Sequence, residues 1–242
     1  MVAYFEDAET DMPPRGRVSD GNTKTKTRAI DAARHDMSSC RWAETSAANR
    51  RYHDTEWGVP LHDDRGQFEF LTLEVMQCGL NWELMIRKRE IFRNCFDGFD
   101  FDRIAGYTAD DLRRIMETPG MIRSERKIRA VIGNARAFRL IRSAEGSFSA
   151  WLWRECGGRT ILYDRHAAGF LPAENALSRR IADLLKRRNF SYLGPVTVYS
   201  HLQACGIIND HGGTCPRYRE INECFPTVRR RRDGEKSVNF ID

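Results

Sequence analysis

An all-α fold, a bundle of helices in one domain, is what this sequence predicts, and three observations predict it. Apolar residues recur at spacings of three and four along most of the chain, the period of a helix with one buried face. Helix-start signals precede these runs. Period-two alternation is confined to one short stretch, "RTILYD". At 242 residues, 41% hydrophobic and 30% charged, the chain is long enough for one good-sized core, or for one domain carrying tails.

The elements follow in order. Residues 1–38, with "PPRGR" and "SDGNTKTKTR", lack a periodic apolar pattern and read as a disordered arm, so the domain is expected over 39–225. "FEFLTLEVMQCGLNWELMIRKREIFRNCF" places Phe70, Leu71, Val75 and Cys78 on one helical face, then Trp82, Met85, Ile86 and Phe92 beyond Gly79. Two helices therefore meet near "GLN". "TADDLRRIMET" opens with Thr108 and Asp111 in capping-box spacing. "SERKIRAVIGNARAFRLI" carries Ile128, Val131, Ile132, Ala135 and Phe138, and "ALSRRIADLLKRR" carries Leu177, Ile181, Leu184 and Leu185. Gly194-Pro195 starts a further helix that ends near Gly206. Residues 226–242, with four consecutive arginines, read as a basic flexible tail.

Composition excludes some classes of function. No run approaches the roughly 20 apolar residues that span a bilayer, and the first stretch lacks the apolar centre of a signal peptide, so the chain is expected in the cytoplasm. Seven cysteines without a framework read as thiols or metal ligands before disulfides. A net charge of +5 allows a nucleic-acid partner without requiring one.

Two short patterns carry chemistry. "INDHGGTC" holds His211 and Cys215 as His-x3-Cys, and "CRWAETSAANRRYH" holds Cys40 and His53 as Cys-x12-His. Together they form a Cys2His2 donor set that would close a structural zinc tetrahedron and tie the two ends of the domain together; the alternative is a buried thiol and a hydrogen-bonded histidine. Four protein ligands leave no position for a reacting water, so the role would be structural. In "METPGMIRSERKI", Pro119-Gly120 makes a tight turn between two helices. Backbone N–H groups and the positive end of the second helix could there face a phosphate, with Gly120, Arg123, Arg126 and Lys127 as the DNA contacts.

Four blocks in order, "CRWAETSAANRRYHDTEWGVP", "LEVMQCGLNWELMIRKREIFRNCF", "GMIRSERKIRAVIGNARAF" and "QACGIINDHGGTC", resemble the DNA-3-methyladenine glycosylase I family of the helix-hairpin-helix glycosylase superfamily. The resemblance spans residues 40–215. It implies one structural zinc on Cys40, His53, His211 and Cys215, a helix-hairpin-helix element, and hydrolytic release of N3-alkylated adenine from double-stranded DNA by a monomeric, monofunctional enzyme. It gives Glu74 the base-recognising, catalytic role and places Tyr52, Trp82 and Trp42 around the flipped base. From the residues alone, Glu74 projects among core residues, either as an acceptor for a cationic purine or as a carboxylate bonded to nearby backbone. Trp82 offers a face for stacking, and Trp57 is expected in the core. The alternative function is a zinc-stabilised DNA-binding protein that keeps the scaffold without base release.

This chain departs from the family's pattern at Val75, Met76, Cys78 and Asn81, which flank the expected pocket and bear on which alkylated base fits. From Arg126 to Ile141 there is no acidic residue, so the aspartate mechanism of other superfamily members is not expected. Lys127 as a Schiff-base nucleophile is weighed against a phosphate contact, which is preferred.

Overall fold

Every residue from Gln67 to Met76 is buried, so the helix that contains them has no solvent face along its middle and other helices must surround it. The computed structural model describes residues 40–164, 166–169 and 171–231; the arm expected over 1–38 lies outside these. Among the described residues there are ten α-helices and a two-stranded sheet. The helices are α1 (Ala47–Thr55), α2 (Asp64–Gln77), α3 (Trp82–Cys95), α4 (Phe101–Ala105), α5 (Ala109–Glu117), α6 (Glu125–Glu145), α7 (Phe148–Cys156), α8 (Ala176–Arg187), α9 (Pro195–Ala204) and α10 (Pro216–Cys224). A 3-10 turn, Arg41–Thr45, precedes α1.

Buried on all sides, α2 is central and contacts α3, α6, α7 and α9, while α4 lies along α6 and α8 against α9. Local signals set the boundaries. Asp63 caps α2 by accepting from the Gly66 amide, and Asn81 caps α3 through the Glu83 amide. Thr108 and Asp111 form the expected capping box on α5. The turn between α2 and α3 passes through Gly79 at a φ of 77°, a conformation that favours glycine. Ile128, Val131, Ile132, Ala135 and Phe138 of α6 are all buried, as their spacing predicts. Gly206 ends α9 at a φ of 73°, and a Cβ there would lie 2.4 Å from the Pro60 backbone nitrogen. Glycine thus lets the loop after α1 pack directly on the end of α9.

The expected strand forms as β1 (Thr160–Tyr163), and it pairs in parallel with β2 (Thr227–Arg230). This corrects the domain boundary at 225 and the reading of 226–231 as flexible tail; the rest of that tail, 232–242, lies outside the described residues. Val228 packs on the core, and Arg230 donates to the Cys156 carbonyl at 2.9 Å, so part of the arginine run is built into the fold. No helix among the described residues is long and apolar enough to cross a membrane.

Candidate active site and metal centre

Cys40 precedes the 3-10 turn, His53 lies on α1, and His211 and Cys215 lie between α9 and α10. The fold brings all four together, with their donor atoms within 4.8 Å of one another. His211 Nδ1 is 3.1 Å from His53 Nε2, 3.7 Å from Cys215 Sγ and 3.8 Å from Cys40 Sγ, and Cys215 Sγ is 3.6 Å from His53 Nε2. A tetrahedron with metal–nitrogen bonds near 2.0 Å and metal–sulfur bonds near 2.3 Å has edges of about 3.3–3.8 Å, so the spacing suits one ion.

The outer partners make the same point. His53 Nδ1 lies 2.7 Å from the Asp54 carboxylate and His211 Nε2 lies 3.1 Å from the Trp57 carbonyl. Both partners only accept, so each neutral imidazole has its proton on the outer nitrogen and turns a lone pair inward. Two lone pairs facing each other at 3.1 Å call for a positive charge between them. Hydrogen bonding from Cys40, with His211 and His53 adding, also pulls the Cys215 thiol well below the ordinary thiol range. Two nitrogens and two sulfurs fit a structural metal, and they leave no protein-free position.

Beside this cluster, on the neighbouring residue of α1, Tyr52 turns into a cavity of about 510 Å³. Trp42, Tyr52, Trp57 and Trp82 supply its aromatic walls; Trp42 and Trp57 rings are 5.1 Å apart and Tyr52 and Trp82 rings 5.4 Å apart. Glu74 projects into it from α2 and is only 4% exposed. Among the described residues its carboxylate has no hydrogen-bond or ion-pair partner, so the backbone-bonded alternative does not hold. Burial alone pushes its pKa up to about 8. The Tyr52 hydroxyl and the Trp82 indole N–H are likewise buried without partners. Burial, then the nearby Glu74 charge, raises the Tyr52 phenol well above its ordinary range, so it stays a donor. Unpartnered buried donors beside an unpartnered buried acid, between flat apolar faces, describe a site prepared for a planar polar ligand.

Comparison with known proteins is decisive at this point. The sequence profile of the methyladenine glycosylase family matches residues 42–218. The chain belongs to that family. It is 35% identical over 182 residues to DNA-3-methyladenine glycosylase 1 of Escherichia coli (strain K12), covering 75% of this chain and 97% of the relative. DNA-3-methyladenine glycosylase of Haemophilus influenzae is 33% identical, with 73% and 96% covered. A crystal structure of 3-methyladenine DNA glycosylase I superposes with a TM-score of 0.71 at 37% identity, covering 74% of this chain and 98% of that one. The Staphylococcus aureus enzyme, in a structure on 3-methyladenine recognition, gives 0.67 at 32% identity, with 71% and 92% covered.

In this member of the methyladenine glycosylase family the remaining expected residues separate. Gly120 sits at the turn between α5 and α6 with a φ of 77°, and its carbonyl accepts from Lys88 Nζ. Arg123 and Arg126 are exposed near the start of α6, with no acidic partner among the described residues. Lys127 is not at the surface, which corrects both its assignment as a DNA contact and its weighing as a nucleophile. It lies on the same face of α6 as the buried Ala130, Val131 and Asn134, and its Nζ donates to the Met76 and Cys78 carbonyls at 2.8 and 2.7 Å. The ammonium thereby caps the C-terminus of α2, where carbonyls lack helical partners.

Of the four departures, Val75 and Met76 are core residues at 0% exposure and, like Cys78, do not line the cavity, whereas Asn81 does. Trp57 is buried as expected, but it also lines the cavity and lies edge-on to His211 at 4.5 Å. Sequence reasoning missed Asn49, Gln77 and Gln203 in the cavity wall. Their spacing from Tyr52, Glu74 and the helix end, three, three and one residues, was the available signal for a shared face.

Proposed function

We propose that this chain is a monofunctional DNA glycosylase that takes an N3-alkylated adenine out of double-stranded DNA and hydrolyses its N-glycosidic bond, releasing 3-methyladenine. The observation that carries the reading is Glu74, a buried acid without a protein partner between aromatic walls. An uncharged ligand leaves that acid protonated, whereas a base made cationic by alkylation favours the carboxylate. Trp82, Tyr52 and Trp42 give the base stacking faces, with a cation–π contribution that neutral adenine lacks.

Because alkylation makes the base a good leaving group, extraction and charge recognition supply much of the catalysis. Water adds to the sugar C1′ as the bond to the base breaks. The bonding electrons neutralise the departing base, and the water's proton leaves to solvent. With Lys127 spent on the carbonyls of Met76 and Cys78, that amine does not attack the sugar, and the expected product is free base and an intact abasic strand.

The turn at Gly120 and the start of α6, whose cap Ser124 makes no side-chain hydrogen bond, form the helix-hairpin-helix grip, with Arg123 and Arg126 at the phosphates. The metal of the Cys2His2 cluster is zinc, one per chain, held by Cys40, His53, His211 and Cys215 as a staple between the domain's ends. The enzyme works as a monomer in the cytoplasm. Release of 3-methyladenine from methylated duplex, followed by chromatography of the free bases, tests the function. The expected result is release without strand cleavage; DNA binding with no base release would instead favour a non-catalytic DNA-binding protein.

A further inference from the structure

Away from the base cavity and the metal cluster, arginines gather around a second opening in the fold. A cavity of about 400 Å³ lies between the end of α7, the start of α8 and β2, and its walls carry Arg154, Arg180, Arg230 and Arg231 against a single carboxylate, Glu155. Four cations sharing one opening repel one another, and an anion among them removes that cost. All four are arginines and none is lysine. That choice suits a ligand with paired oxygens, which a planar guanidinium meets with two N–H groups at once.

The fold holds these side chains in place. The Arg230 carbonyl accepts from the Asp164 amide at 3.0 Å, while Arg230 Nη2 donates to the Cys156 carbonyl at 2.9 Å. Gly157 makes room for that guanidinium: its φ is 100°, and a Cβ there would lie 2.9 Å from Arg230 Nη2. Arg180 donates to both the carboxylate and the backbone carbonyl of Glu155, so the one acid in the wall is already engaged. Arg154 Nη2 donates to Glu145 at 2.8 Å. Among the described residues the other guanidinium nitrogens of Arg154 and Arg230 have no partner. Ala176 and Leu177, the first residues of α8, also line the cavity, so the positive end of a 12-residue helix adds to the field of the arginines.

We infer that this cavity is a phosphate-binding site. Its ligand is a phosphate group, carried by a small phosphate compound or by the backbone of DNA. The cavity shares no lining residue with the base cavity or with the hairpin at Gly120. Arg230 and Arg231 also lie beyond residues 42–218, so they stand outside the stretch that matches the family. The site does not depend on the glycosylase reading.

The test is NMR of the full, metal-loaded chain titrated with inorganic phosphate at constant ionic strength. The amides of Gly157, Gly158, Ala176 and Leu177 are expected to shift together and to saturate with a Kd of about 1 mM. Arg230→Gln should weaken this binding by roughly tenfold. Arg154→Gln, which leaves β2 untouched, should weaken it by roughly threefold and serves should Arg230→Gln fail to fold. Shifts at these amides that do not saturate, or an affinity unchanged in the folded variants, would overturn the site. Where the site holds, the salt dependence of binding to undamaged duplex names the source of the phosphate. Arg154→Gln lowers the slope by about one for a DNA phosphate and leaves it unchanged for a small phosphate compound.

Discussion

Tyr52 and His53 are consecutive residues of α1, yet they open onto two regions built on opposite terms. Around His53 the polar atoms are paired: both imidazoles have an outer acceptor, and the inner nitrogens and sulfurs converge at spacings suited to one cation. Around Tyr52 they are not: the Tyr52 hydroxyl, the Trp82 N–H, Asn49 Oδ1 and the Glu74 carboxylate are buried without protein partners. Pairing converts burial into stability, and leaving groups unpaired costs stability that a ligand can return. The difference is the one expected between a centre that holds a fold and one that takes a ligand.

The largest expected effect breaks the paired side. His211→Ala or Cys215→Ser should abolish metal binding and lower the unfolding temperature steeply, since structural zinc binds with about 10 kcal/mol, part of which becomes folding stability. Elemental analysis and thermal unfolding with and without chelator check this. A variant that stays as stable as the parent without metal would reduce the cluster to ordinary polar packing.

Glu74→Gln acts on the unpaired side with the opposite sign. Burial holds the native Glu74 pKa near 8 against an ordinary value of 4.5, so the unfolded chain loses that proton first. Native stability due to this group is complete below pH 4.5 and is lost as pH rises toward 8, by a few kcal/mol. The glutamine variant should therefore be the more stable protein above about pH 8 while releasing base more slowly. In wild type, kcat/KM for base release should climb with pH toward a plateau above about 8, and the variant should flatten that profile. Urea melts at several pH values and a pH–rate profile are the measurements. A destabilised variant at high pH would mean that Glu74 has a partner in the native state.

The mildest effect sharpens the contrast between two cations of one helix turn. Arg126→Ala should reduce the salt slope of DNA binding by about one, the signature of a lost phosphate contact. Lys127→Met should leave that slope unchanged and instead loosen the end of α2, seen as faster amide exchange at residues 77–81. Equal slopes lost in both would return Lys127 to the DNA-binding surface.

How far the sequence could be read follows the range of the interactions. Helix starts were legible because caps are local: Thr108 with Asp111, Pro195 after Gly194, and Gly79 between α2 and α3. The four candidate metal donors were singled out by spacing and resemblance together, and the fold brings them within one ion's reach. Lys127 was misread because arginines surround it in sequence, whereas its partners, Met76 and Cys78, lie about fifty residues away. The cavity amides were invisible for a related reason. A glutamine on a helix resembles any solvated residue until the acceptor that orients it is known, and the acceptors of Gln77 and Gln203, the Leu80 carbonyl and Asp210, become relevant only through geometry. β2 escaped because an arginine run masks the Val228 that packs on the core.

The span of the Cys2His2 cluster also bears on how the protein is made. Cys40 and His211 are 171 residues apart, so at about 5–20 residues per second the ribosome adds the second half of the site some 9–34 s after the first. Throughout that interval the nascent chain exposes a thiol and an imidazole as a two-donor half-site, free to engage metals or oxidants in the surroundings. Closure waits until His211 and Cys215 have been made. A metal that closes the cluster could thus enter only after both halves have been made, whatever the state of any one helix between them.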